Sequence, residues 1–154
     1  MVQVLAIDPG ANGGFAWMDD SVIHADAMPF TSGDVVHLLY SLKATSNYLA
    51  AYVEDIPKFC GVGIPGSRVF VMARNFGFIL GALAALNIRT IMVPPKIWQE
   101  PLHLGGRKSC ASQAEWKRKL LGEAQRRYPD VDNVTLKTCD ALLILDYARR
   151  VEFF

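Results

Sequence analysis

The sequence predicts an α/β domain built on a mixed five-stranded sheet flanked by α-helices. Three observations lead there. Short apolar runs broken by tight turn signals fill the first third of the chain, at Val2 to Asp8, Phe15 to Met18 and Val22 to Met28. From Thr31 onward, stretches with helical spacing alternate with short strand-like runs. The length of 154 residues, 51% of them hydrophobic, suits one domain spanning 1–154 with a buried core and argues against disorder.

Each element has its own signal. Val2 to Asp8 is apolar and ends in an acid, and Pro9-Gly10 and Gly13-Gly14 punctuate the loop after it. Asp19-Asp20 marks the turn between the second and third strands, so the first three form an antiparallel meander. Thr31 to Ser46 places Val35, Leu38, Leu39 and Leu42 on one helical face, with Thr31 or Ser32 as cap. Leu49 to Glu54 is a short buried strand. A Gly/Pro-rich loop from Ile56 to Ser67 leads to a helix marked by Val69, Met72, Phe76, Ile79 and Leu83. Ile88 to Val93 is the fifth strand, ended by Pro94-Pro95. Trp98 to Ser112 reads as irregular. Trp116, Leu120, Ala124 and Tyr128, four apart, mark another helix, and Leu136 to Val151 the last. Three hairpin-linked strands and then alternating strands and helices give a mixed sheet with helices against it.

Composition narrows the class. No uninterrupted apolar run reaches the roughly 18 residues of a membrane span. The first residues carry no basic stretch ahead of a long apolar one, so neither a membrane segment nor a signal peptide is expected. Cys60, Cys110 and Cys139 are odd in number and scattered; they read as reduced thiols of an intracellular, cytoplasmic protein. The net charge is +1, but it is unevenly spread. Residues 89–128 hold nine Lys/Arg against three Asp/Glu, whereas residues 1–88 hold four against seven. A basic segment between acidic ones fits polyanion binding and equally a solvated helix face.

Function gathers at the carboxyl ends of strands in open α/β sheets. Asp8 and Glu54 both stand at such ends. Asp140 lies early in the last helix, in the apolar stretch CDALLIL, on a face shared with Leu136, Leu143 and Tyr147. An ionised carboxylate pointing into the body of a protein is costly unless it is paired or holds a metal. Three such acids would suffice for magnesium, which keeps several of its waters. Two-metal phosphodiester hydrolysis needs oxygen ligands around ions roughly 4 Å apart. Asp8 alone could equally serve its Asp-Pro-Gly turn. Either Glu54 or Asp55 could be the second ligand, with Glu54 preferred.

The set AIDPG at 6–10, VED at 53–55 and CDALLIL at 139–145, together with PPKIW at 94–98 and AQRRYP at 124–129, resembles the RuvC-type Holliday junction resolvases. The resemblance covers almost the whole chain, and its compactness is that of the smaller phage-like or viral-like branch. It implies an RNase H-like fold and a homodimeric, magnesium-dependent endonuclease acting on four-way or otherwise branched DNA. It also implies two ions per site, with Mn2+ able to replace Mg2+ and no nucleotide cofactor. Asp8 matches the first-strand acid, Glu54 the acid of the central strand and Asp140 the last acid. The family's fourth functional position, three residues before that last acid, is an Asp or His; here it is Lys137. A protonated lysine cannot ligate a metal. The resemblance therefore gives Lys137 either a contact to the scissile phosphate or the neutralisation of the acids.

The remaining expectations concern DNA and assembly. Arg107, Lys108, Lys117 and Lys119 lead the phosphate contacts, and the resemblance matches Lys117 or Lys119 loosely to a family lysine near the site. Arg68 and Arg74 are further backbone contacts, and the resemblance, in which an aromatic of this region wedges between bases at the junction centre, makes Phe59 and Phe70 candidates for that part. Gly77 and Gly81, four apart, permit close helix packing, and the resemblance implies a two-fold dimer through that helix. Competing readings are a nuclease acting more broadly on flaps and forks, and a junction-binding module with weak catalysis. An actin-like ATPase or sugar kinase would need a second domain, for which the chain lacks the length.

Overall fold

The computed structural model describes residues 2–56 and 63–153. Five strands, β1 (Val2–Asp8), β2 (Gly14–Asp19), β3 (Val22–Ala27), β4 (Ala50–Glu54) and β5 (Arg89–Val93), form one sheet in the order β3-β2-β1-β4-β5. The first three pair antiparallel, as the tight turns require; β4 runs parallel to both β1 and β5. Helices α1 (Ser32–Ala44), α2 (Gly66–Ala85), α3 (Pro95–Gln99), α4 (Gln113–Arg127) and α5 (Cys139–Phe153) complete the domain.

The central strands bury both faces, which is why they read as continuous apolar runs. Val4 and Ala6 of β1, with Ala50 and Tyr52 of β4, point into a core closed by Trp98 of α3, Trp116 and Leu120 of α4, and most of α5. Leu5 and Ile7, with Ala51 and Val53, point the other way against Val35 and Leu39 of α1 and Ile79 and Leu83 of α2. Each large aliphatic side chain withdrawn in this way contributes about 1.5–3 kcal/mol of burial.

Local signals explain most helix ends. Thr31 caps α1 by accepting from the Asp34 amide at 3.1 Å, and Ser112 caps α4 by accepting from the Glu115 amide at 3.1 Å. Two boundaries differ from the sequence reading. The stretch after Pro94-Pro95 is not wholly irregular: Pro95 opens α3, because its fixed φ suits a first helical turn, and buried Trp98 anchors it. The last helix begins at Cys139 rather than Leu136. Residues before it form a turn in which the Thr138 hydroxyl accepts from the Thr135 amide at 2.9 Å and donates to the Asn133 carbonyl.

By length and composition α2 could cross a membrane, although the sequence holds no uninterrupted apolar run of that size. Ile79 and Leu83 fix one of its faces to the sheet side of the core. Phe70, Ala73, Gly77, Gly81 and Ala84 are exposed.

Candidate metal centre

Strand parity brings the acids together. Successive residues of a strand point to opposite faces. Asp8 therefore joins Val4 and Ala6 on the α5 side of the sheet, and Glu54 joins Ala50 and Tyr52 on the same side. The parallel register pairs Ala6 with Tyr52 and Ile7 with Val53, so the next residues, Asp8 and Glu54, end level with each other. Asp55 has the opposite parity, and its backbone amide donates to Val93 O at 2.9 Å. Asp140, in the first turn of α5, comes down onto this pair because α5 packs across β1, β2 and β4. One carboxylate oxygen from each of Asp8, Glu54 and Asp140 lies within 4.8 Å of the other two.

The loop after β1 holds Asp8 in place. The Gly10 amide donates to Asp8 Oδ1 at 3.2 Å, and the Gly13 amide donates to Gly10 O at 2.9 Å. Gly13 is needed for this approach: a Cβ there would meet the carbonyl oxygen and carboxyl carbon of Asp8. A cavity of about 170 Å³, lined by Asp8, Pro9, Gly10, Glu54, Ile56 and Met72, opens beside the acids.

The electrostatics are those of a site short of positive charge. Burial, then the Asp140 carboxylate, raise the Asp8 pKa from 3.8 to about 6, against the lowering pull of Lys117 and the Gly10 amide. Burial, Asp8 and Asp140 push Glu54 well above the usual carboxylate range, again opposed by Lys117. Glu54 Oε2 is buried with no hydrogen-bond partner. An orphaned carboxylate oxygen inside a cluster of oxygen donors fits a hard divalent cation, for which carboxylate ligands are the preferred set. Asp8, Glu54 and Asp140 could hold such an ion.

Lys117 was expected among the phosphate contacts and, with Lys119 as the alternative, as a loose match to a family lysine near the site; its ammonium ion-pairs with Asp140 Oδ2 at the heart of the cluster. Burial lowers its pKa, but Asp140 and Asp8 raise it more, so it stays charged. The signal was available: Trp116 is the start of the buried stripe of α4, and the next residue sits at that stripe's border. Cys139, beside the acids, is pushed up to about 12 by burial and by Asp140, so it remains a thiol.

Other expected residues fall around this centre. Lys137 lies in the turn before α5, not on the helix, and its exposed side chain lines a separate cavity beside Pro9. Arg107 is exposed and donates to Gln113 Oε1 at 2.7 Å; Gln113 stands four residues before Lys117 and shares its helix face. Lys108 is exposed nearby. Lys119, also exposed, points about 200° around α4 from Lys117, away from the acids. Arg126 and Arg127, at the far end of α4, are engaged with Glu123, and Arg127 also with Asp146. Arg68 and Phe70 are exposed at the start of α2, where the Arg74 guanidinium lies 5.9 Å from the Phe70 ring centroid. Phe59 lies outside the described residues.

No protein-family model matches this sequence, and no curated protein matches it. Solved structures do. Thermus thermophilus RuvC in complex with a Holliday junction substrate superposes with a TM-score of 0.59 at 16% identity, over 99% of this chain and 96% of that one. A second Thermus thermophilus RuvC structure gives a TM-score of 0.57 at 17% identity, over 98% and 97%. The chain has a RuvC-like, RNase H-like fold. The likeness runs over nearly the full length of both chains, not the sheet alone.

Proposed function

We propose that this protein is a metal-dependent endonuclease that resolves four-way DNA junctions, acting as a two-fold homodimer. The convergence of Asp8, Glu54 and Asp140, with a buried carboxylate oxygen left unpartnered, carries the reading. The likeness in fold to a RuvC bound to a Holliday junction supplies the substrate class.

In this reading Asp8, Glu54 and Asp140 would hold two divalent ions, Mg2+ or Mn2+, and bound ions would supply activation of a water and charge stabilisation of the leaving phosphodiester oxygen. The chain's own groups do the rest. The Gly10 amide orients Asp8. Lys117 holds Asp140 in place and sets a fixed positive charge where phosphate charge develops. Arg107 and Lys108, toward the start of α4, contact phosphates on one flank, and Lys137, Arg68 and Arg74 on the other. The exposed stripe of Gly77, Gly81 and Ala84, toward the C-terminal half of α2, is the dimer face; a Cβ on either glycine meets nothing within 4 Å, so a second helix can approach closely. Paired sites related by a two-fold axis suit the cutting of two opposed strands.

The test is cleavage of an end-labelled four-way junction, a flap, a fork and a plain duplex by wild type and Asp8→Asn, in Mg2+ and in Mn2+. The expected result is symmetric nicks in the junction that fall more than about 100-fold in the variant. Equal cutting of flaps and forks would indicate a broader debranching nuclease. Tight junction binding with no cleavage in either metal would make the protein a binding module. Activity persisting in Asp8→Asn would sink the metal-centre assignment.

A further inference from the structure

Phe30 presents a whole aromatic ring to solvent. It is the most exposed large hydrophobic residue among those described, with a relative exposure of 102%. It lies between β3 and α1, and the next residue, Thr31, is committed to capping α1 through Asp34. The loop is therefore pinned immediately after the ring.

Phe30 borders a cavity of about 330 Å³, within the range of small-molecule pockets, whose other walls include Pro9, Met28, Asn75, Phe78 and Lys137. Pro9 is also a wall of the smaller cavity at the acids, so the two hollows adjoin across one residue. The larger cavity adjoins a hollow that shares Ser32, Asn75 and Phe78 with it and is also lined by Arg74. Its lining thus includes two aromatic residues, an asparagine and a lysine, and an arginine lines the adjoining hollow.

We propose that this cavity receives an unpaired nucleobase of the DNA strand whose phosphate lies at Asp8, Glu54 and Asp140, with the Phe30 ring as its stacking platform. The proposal rests on the nuclease reading above and adds a residue and a subsite to it. Each component suits a nucleotide. Stacking on an aromatic ring tolerates any base, because every base has a π-face. The Asn75 amide offers one donor group and one acceptor to a base edge. Lys137 in the lining and Arg74 in the adjoining hollow offer positive charge to the phosphates flanking such a base. A purely apolar occupant, such as a side chain of a second copy, would leave both cations without a role. Bases near a branch point are unpaired at little cost, so a strand at the junction centre can supply one.

The experiment uses the full chain and a four-way junction with 5-iodouracil placed singly at each position within a few nucleotides of the cut. Near-ultraviolet irradiation joins this base to an aromatic ring stacked on it, and mass spectrometry locates the joined peptide. The expected result is a crosslink on the Phe30 peptide at one substituted position. Phe30→Ala should lose the crosslink and weaken junction affinity on the order of tenfold; Phe30→Trp should restore both. The thermal midpoint should not move in either variant, since the ring is solvated. Asn75→Leu should flatten any preference for one base at that position. A crosslink mapping elsewhere, or a Phe30→Ala protein that binds and cuts like wild type, overturns the base subsite and leaves the nuclease reading standing. Wild-type protein that neither binds nor cuts any branched DNA overturns both. Loss of dimer in Phe30→Ala, with monomer affinity for a half-junction unchanged, would assign the ring to the second copy and also refute the proposal.

Discussion

The first half of helix α5 and most of α2 are both apolar, and they are used in opposite ways. In α5 (Cys139–Phe153) every residue from Cys139 to Leu145 is buried, including Asp140. In α2 (Gly66–Ala85), longer by five residues, Ile79 and Leu83 alone are buried. The apolar half-helix from Cys139 to Leu145 is sealed on all sides, and a charge placed on it is held in a fixed, dry position. An apolar helix with one bare face is incomplete as a monomer, since contiguous exposed apolar surface marks an interaction site. The first arrangement places a carboxylate for chemistry, and the second offers a surface for assembly.

The sharpest way to break this contrast is a matched pair of substitutions. Leu143→Ala, in the middle of α5, should cost about 2–5 kcal/mol through lost burial and a residual cavity, read as a large drop in the denaturant midpoint. Gly81→Leu, on the bare face of α2, should leave monomer stability within about 0.5 kcal/mol. Its effect should appear in sedimentation, as a dimer converted to monomer, and in the junction assay as single rather than paired nicks. If Gly81→Leu lowers stability as much as Leu143→Ala, the α2 face is not free in the monomer.

Glu54→Gln tests the cost of the site itself. Burial and the neighbouring carboxylates disfavour the charge of Glu54, so its removal should raise the thermal midpoint of the metal-free protein at neutral pH. The same variant should lose the midpoint increase that millimolar Mg2+ gives wild type, together with cleavage. A midpoint that falls in the absence of metal would contradict the charge-repulsion account.

A smaller effect comes from pH. Asp8 titrates near 3.8 in the unfolded chain and at about 6 in the fold, so the unfolded state ionises first. A raised carboxylate pKa favours folding while the group is protonated. Metal-free protein should therefore lose stability as pH rises from about 4 to about 6, and Glu54 extends the loss to higher pH. Saturating divalent metal should flatten this slope, which denaturant titrations across the range would measure. The smallest change is expected at Arg126, whose pairing with Glu123 lies at the surface. Arg126→Gln should move stability by less than about 1 kcal/mol and leave cleavage unaltered.

Much of this architecture was legible in the chain. The meander, the later alternation of strands and helices, and the acids at the ends of β1 and β4 rest on local patterns, and local patterns survive folding. The preference for Glu54 over Asp55 is decided by the two-residue period of β4, a property of any strand. Helix α3 was missed because Pro94-Pro95 signals an end and, with Pro at the first helical position, equally a start. The choice between them depends on whether Trp98 finds a core to enter, which no five-residue window contains.

The site divides along the same line. The residue types, their strand-end positions and the apolar surroundings of Asp140 are set by the sequence alone, because periodicity determines which side of an element a residue faces. Three matters were decided only by tertiary packing, since each depends on distances between segments far apart in the chain. One is the meeting of Asp8 and Glu54 with Asp140, brought by α5 across the sheet. Another is which lysine meets the acids: Lys117 reaches them from α4, while Lys137, which the resemblance had placed there, sits in a turn and lines the neighbouring cavity. The last is the exposure of Phe30 beside that cavity, invisible in a string of letters because an aromatic residue next to a proline reads the same whether it is buried or left in water.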